Sequence, residues 1–356
     1  MSSDGWDRSA FRDRVQVTLD DHLDRMATRL SPLGDDAAAL LDEARAVVSG
    51  GKRFRAAFCY WGFRAVQPGG EDEAAVLRAA AALELLHASA LAHDDLMDDS
   101  DTRRGRPATH RGFASAHARD GLPGDAEDYG AAAAILLGDL LLSWSDELLR
   151  RCGLPEQRVG AALDLFDQCR TEVIAGQFLD VSVQARGRAD VDTAMQVLRY
   201  KSAKYSIERP LHIGAALAGA DAATLAALTA YGLPVGEAFQ LRDDLLGVFG
   251  DPDTTGKPAG DDLVEGKRTV LVALALEAAP AEDARRLDAA LGTDLGTEQV
   301  AELRGIIQRS GAQARVEAMI TELADDARSA LEQAPIDDHA RAVLGELAAA
   351  ATQRSV

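Results

Sequence analysis

The sequence predicts an all-α protein folded as one domain. Alanine and leucine are abundant, and alternating β-branched runs are nearly absent. Apolar residues recur instead at i, i+3 and i+4 over long stretches. Those stretches stop at clusters of Gly, Pro and Asp rather than at long flexible linkers.

A first helix is expected over residues 7–30. Residues 72–97 read as one long helix, with Leu83, Leu86, Ala90 and Met97 near one face. Residues 129–151, 155–184, 221–250 and 311–333 read likewise. The breaks fall at "QPGGED", "DGLPGD", "CGLPEQ", "QARGRAD" and "GDPDTTGKPAGDD". No fixed-period repeat interrupts this order. The whole of 1–356 is therefore expected to be a single domain, with a motif-bearing core over about 45–275 and C-terminal helices over 280–353.

Charge and composition narrow the function. Lys and Arg number 38 against 58 Asp and Glu, a net charge of −20. So acidic a chain lacks the field that nucleic acid requires, although a local basic cluster can still hold a phosphorylated ligand. Cys59, Cys152 and Cys169 show neither metal-ligand nor disulfide spacing and are expected to be reduced. The N-terminus is charged, unlike a signal peptide. The most apolar run, "AAAAILLGDLLLSW", carries Asp139 in its middle and is too short for a bilayer. A cytoplasmic protein is expected.

The chemistry lies in two acidic motifs. In "DDLMD", Asp94, Asp95 and Asp98 stand at i, i+1 and i+4. Asp94 and Asp98 fall one helical turn apart, about 6 Å along the axis. Two carboxylates held so close repel unless a cation lies between them, and oxygen-only ligands favour Mg²⁺. Taken alone, the motif also fits a solvated acidic helix end. A calcium-binding loop does not fit, because its required acid would fall at Gly105. The pattern recurs in "FQLRDDLLGVFGD", where Asp243 and Asp244 follow Gln240 by about one turn. Two acidic helix ends facing a cavity would hold metal ions bridged by a diphosphate. Basic residues flank both: Arg103 and Arg104 after the first, Lys257 and Lys267 after the second. "SGGKRFRAA" sets two glycines before Lys52, Arg53 and Arg55, and "YKSAKYSIERP" offers Lys201 and Lys204. Each basic stretch alone reads as an ordinary loop or helix surface.

Together, "GGKRFR", "ELLHASALAHDDLMDDSDTRRGRP", "GQFLD", "KSAKYS" and "FQLRDDLLGVFGD…TGK…EGKRT" resemble the trans-isoprenyl diphosphate synthases, the polyprenyl synthetase family. They occur in the family's order across residues 50–270. The resemblance implies the isoprenoid synthase fold, an orthogonal helical bundle around a central cavity, usually a homodimer. It implies Mg²⁺, three ions per active site, ligated by Asp94, Asp98 and Asp243 with Asp95 and Asp244 in support. Arg103, Lys201, Ser202, Gln240, Lys257 and Lys267 would contact the allylic diphosphate. Lys52, Arg55, His87 and Arg104 would hold isopentenyl diphosphate without metal. Gln177 and Asp180 would line the cavity. The implied reaction is head-to-tail prenyl transfer to a dimethylallyl, geranyl or farnesyl diphosphate primer.

One departure opens other readings. The second motif commonly ends in Asp where this chain has Gly247. Asp243, Gly247 and Asp251 loosely resemble a class I terpene cyclase motif, but a cyclase has no use for Lys52, Arg55 and Arg104. A non-catalytic subunit of a heteromeric synthase would lose one motif or its basic residues, and both are largely present. Product length in this family depends on the residues below the first motif. Ser89 and Ala90 are small, and Leu86 and Leu83 lie deeper. Geranylgeranyl diphosphate (C20) is the expected main product, then longer chains, then farnesyl diphosphate.

Overall fold

The computed structural model describes residues 6–188, 190–250 and 260–353. Asp7 caps α1 (Arg8–Leu30) by accepting from the backbone N–H of Ser9 and Ala10, a cap worth about 1 kcal/mol. A 3₁₀ turn (Ser31–Leu33) leads to α2 (Asp35–Val48), and α3 (Phe54–Val66) follows. Next comes α4 (Glu73–Met97). A two-stranded ribbon, β1 (Thr102–Arg103) and β2 (Arg106–Pro107), precedes α5 (Thr109–Arg119). Then come α6 (Ala126–Arg150) and α7 (Glu156–Arg186). A short α8 (Val191–Val197) runs straight into a π-helical segment (Leu198–Glu208) and α9 (Arg209–Leu217). The last group is α10 (Ala222–Phe249), α11 (Asp261–Val264), α12 (Val270–Ala278), α13 (Ala281–Ala290), α14 (Thr297–Arg309), α15 (Ala312–Gln333) and α16 (Asp338–Thr352).

The long helices agree with the sequence reading. The largest difference is at α6, which starts at Ala126 rather than at 129, because Asp125 in "DGLPGD" caps it. Asp190 and Asp221 cap α8 and α10 in the same way, so the acids in the turn clusters start helices as well as ending them. The ribbon and the π segment are additions to that reading.

Helix α4 runs through the core. It packs against α6, α3 and α1, and most of its alanines are buried, which allows close approach; Leu83 and Leu86 are buried too. Each such leucine contributes about 1.5–3 kcal/mol. α4 is also the one described helix long and apolar enough to cross a membrane, but 72% of its apolar window is buried inside the protein. That burial marks it as a core helix. Two apolar clusters share α10: Leu228, Tyr231 and Val235 belong to one, Leu241, Leu245 and Val248 to the other. Cys59, Cys152 and Cys169 are free and buried.

Candidate active site

The C-terminal ends of α4 and α10 open on one cavity of about 750 Å³. Asp94 of α4 lines it, as do Gln240, Asp243, Asp244 and Gly247 of α10 and Lys201 and Ser202 of the π segment. Asp180, Asp262 and Lys267 complete the polar wall. The two acidic motifs, far apart in sequence, therefore face the same space.

Each motif aspartate has a different environment. Asp94 accepts from Gln177 Nε2 at 3.0 Å and lies 3.3 Å from Lys201 Nζ. Burial opposes its charge, but Lys201, Lys267 and Arg103 outweigh burial and hold the carboxyl below its ordinary value. Asp98 sits behind Lys267 at 3.5 Å, nearly covered, and burial and Asp94 push its carboxyl up. Asp95 points the other way: it is buried and accepts from Arg103 Nε at 2.7 Å. Arg103, expected at the allylic diphosphate, is thus anchored from behind while lining the cavity. Lys201 donates to Asp180 Oδ2 at 2.6 Å.

Against the second motif stands a residue that its pattern did not include, Asp262. A Cβ at Gly247 would collide with the Asp262 carboxylate. Asp262, from α11, therefore occupies the space where the family's third aspartate would begin. It lies 3.6 Å from Lys267 Nζ. Gln240 donates to Asp244 Oδ1 at 2.8 Å. The Asp244 carboxyl is nonetheless pushed up to about 8, first by burial and then by Asp262 and Asp243. Lys257 and Asp251 lie outside the described residues.

Carboxylates crowded in this way suit a hard divalent ion, which relieves their repulsion. Among the described residues no three His, Cys, Asp or Glu side chains meet closely enough to cage an ion alone. That fits Mg²⁺, which takes few protein carboxylates and completes its shell with water and phosphate.

A second pocket of about 330 Å³ lies on the far side of Arg103. Gly50, Gly51 and Arg104 line it. The glycines have φ of 68° and 88°, open to them at little cost. Arg104 is held by the ribbon. It and Gly105 are the two central residues between paired Arg103 and Arg106, with φ of 52° and 74°. Those angles match a type I′ hairpin. An arginine at such a position stores about 1 kcal/mol of strain. Its guanidinium reaches Ser49 O at 3.2 Å. Arg55 instead donates to Ser206 Oγ at 2.7 Å, and His87 Nδ1 lies 3.0 Å from Tyr205 Oη. Burial, then the charges of Arg55 and Arg104, keep His87 well below its usual range. Lys52 lines the larger cavity rather than this pocket, and Arg55 and His87 line neither, so of the four residues expected to hold isopentenyl diphosphate only Arg104 lines it. Among the described residues, Arg55 and Arg104 have no carboxylate partner, whereas Arg103, Lys201 and Lys267 all do.

The residues expected to set product length are placed deeper. Ser89, Leu86 and Leu83 are buried and Ala90 is half-buried, all below the level of Asp94 on α4. None of them lines either pocket.

The polyprenyl synthetase family model matches residues 38–308. A short chain isoprenyl diphosphate synthase of Methanothermobacter thermautotrophicus is 36% identical over 267 residues, 75% of each chain. A (2E,6E)-farnesyl diphosphate synthase of Mycobacterium tuberculosis is 35% identical, over 72% of this chain and 66% of its own. The crystal structure of a Corynebacterium glutamicum geranylgeranyl pyrophosphate synthase, complexed with isoprenyl diphosphate and magnesium, is similar with a TM-score of 0.95. The two are 40% identical over 98% of this chain and 100% of that one.

Proposed function

The chain belongs to the polyprenyl synthetase family and is a trans-prenyltransferase, and from that premise we propose that it joins isopentenyl diphosphate head-to-tail to an allylic diphosphate. The primer is dimethylallyl, geranyl or farnesyl diphosphate, and the main product is geranylgeranyl diphosphate. The relatives' names differ in product length, so the small Ser89 and Ala90 support the C20 product rather than the names.

Asp94, Asp98 and Asp243 would hold Mg²⁺, which when bound neutralises charge on the departing diphosphate. Lys201, Arg103 and Lys267 orient that diphosphate and add positive charge where it builds up. Bond ionisation leaves an allylic cation, which the double bond of isopentenyl diphosphate attacks. A proton is then lost to the released diphosphate. The apolar interior below Asp94 keeps water from the cation.

The observation that carries this reading is the contrast among the cations. Those beside the aspartates are paired with them, so they surround the acidic cluster with positive charge. Arg55 and Arg104 keep their charge for a second, metal-free anion. Purified protein with Mg²⁺ and farnesyl diphosphate, with and without isopentenyl diphosphate, tests it. A prenyl product is expected only when both are present; product from farnesyl diphosphate alone would overturn the reading.

The same reading makes the chain one catalytic unit in the cytoplasm that pairs with a second copy. Its support is an exposed apolar face on α6 and α7, where Leu136, Ile174 and Phe178 are each more than half exposed.

A further inference from the structure

Tyr205 stands between Arg55 and His87, two of the residues expected to hold isopentenyl diphosphate. It is buried on the π segment, 5% exposed. Its hydroxyl lies 3.0 Å from His87 Nδ1. Its ring lies under Arg55, with the guanidinium carbon 4.3 Å from the ring centroid. The next residue, Ser206, accepts from Arg55 at 2.7 Å. Four residues earlier on the same segment, Lys201 bonds Asp180 and approaches Asp94 in the main cavity.

We propose that Tyr205 is the positioning residue of the metal-free anion site: its hydroxyl fixes His87 as an Nε2–H donor, and its ring orients Arg55 without neutralising it. The inference rests on the prenyltransferase reading of that site.

The chemistry runs through the imidazole tautomer. A neutral histidine has one N–H and one lone pair. If Nδ1–H donated to the tyrosine oxygen, Nε2 would turn a lone pair toward the diphosphate and repel it. If the phenol donates to Nδ1, Nε2 carries the proton and donates to the anion. Burial pushes the Tyr205 phenol up, so the hydroxyl keeps the proton this arrangement needs. The Arg55 contact follows the same logic. A carboxylate there would cancel the charge, whereas an aromatic face attracts the guanidinium and leaves its charge available.

Tyr205→Phe keeps the ring and removes the hydroxyl, so it tests the tautomer directly. Elongation by the wild-type enzyme is measured first; its absence would sink the prenyltransferase reading, whatever Tyr205 does. In an active background, Tyr205→Phe should raise KM for isopentenyl diphosphate about tenfold, the worth of one hydrogen bond to a charged ligand's donor. KM for the allylic diphosphate should stay within about twofold. His87→Ala should raise the same KM, and adding Tyr205→Phe to it should raise it no further. An unchanged isopentenyl diphosphate KM, an equal rise for both substrates, or full additivity with His87→Ala would each overturn the proposal. Should the variant not fold, ¹⁵N spectra of histidine-labelled wild-type protein with isopentenyl diphosphate decide. The His87 signal, assigned with His87→Gln, should report the Nε2–H tautomer, and an Nδ1–H tautomer would contradict it.

Discussion

The Asp262 carboxylate fills the space that a side chain at 247 would need, so adding an acid at 247 should not improve the enzyme. Gly247→Asp must displace the Asp262 carboxylate and shift Lys267 and Asp98 with it. Turnover should fall by about tenfold or more, since small displacements at reacting groups are costly; steady-state rates at saturating Mg²⁺ check this. Asp94→Ala removes a carboxylate that faces the cavity and should lower turnover by about 10²–10³-fold. Ser89→Phe should shorten the product by at least one isoprene unit, read by product chromatography. An unchanged product profile would refute Ser89 as part of the floor. The motif acids stood out in the sequence by their one-turn helical spacing, and the basic residues only through the family resemblance; the structure brings Asp94, Asp243, Arg103, Lys201 and Lys267 onto one cavity. Asp262 did not stand out. It enters the site only because α11 packs against α10 beside Gly247, a tertiary event that leaves no local pattern. The buried role of Asp95 was equally hidden, since adjacent acids on a helix point in different directions and nothing in "DD" says which faces the cavity.

At the scale of elements, the long helices were readable from periodicity and their acidic caps. The π segment was not, because its residues are ordinary helix formers and no local pattern marks the change from four- to five-residue hydrogen bonding; the segment packs against α7 and α10. That segment places Lys201 and Ser202 on the main cavity and Tyr205 and Ser206 toward Arg55 and His87. Elsewhere, α1 carries a buried histidine with a consequence for stability. Burial first, then Arg25, push the His22 imidazole down to about 4; Arg29 also lowers it and Glu147 opposes. The unfolded chain binds the proton at about 6.5, so folding stability is complete above that pH and is lost as pH falls from 6.5 toward 4. The loss is on the order of 3 kcal/mol at the bottom of that window. Melting temperatures at pH 7 and pH 5 should therefore converge in His22→Gln relative to wild type. An equal pH dependence in both proteins would show that His22 does not carry it.

Over the whole molecule, the exposed apolar side chains of α6 and α7 call for cover. Phe178 is 73% exposed, one residue from Gln177, which bonds Asp94. Burying such a side chain against a second copy contributes about 1.5–3 kcal/mol. Light scattering should give a dimer for wild type and a monomer for Phe178→Glu at micromolar concentration; a monomeric wild type would remove the proposal of self-association. The account's central claim is that two opposed acidic helix ends form one metal-dependent prenyl-transfer site. Product chromatography with each allylic primer, isopentenyl diphosphate and Mg²⁺ tests it most directly, with chelator and the Asp94→Ala and Asp243→Ala variants alongside. The account predicts a C20 prenyl diphosphate that disappears with chelator and falls by about 10²–10³-fold with either variant. No elongated product from any primer, or undiminished product from both variants, would contradict it.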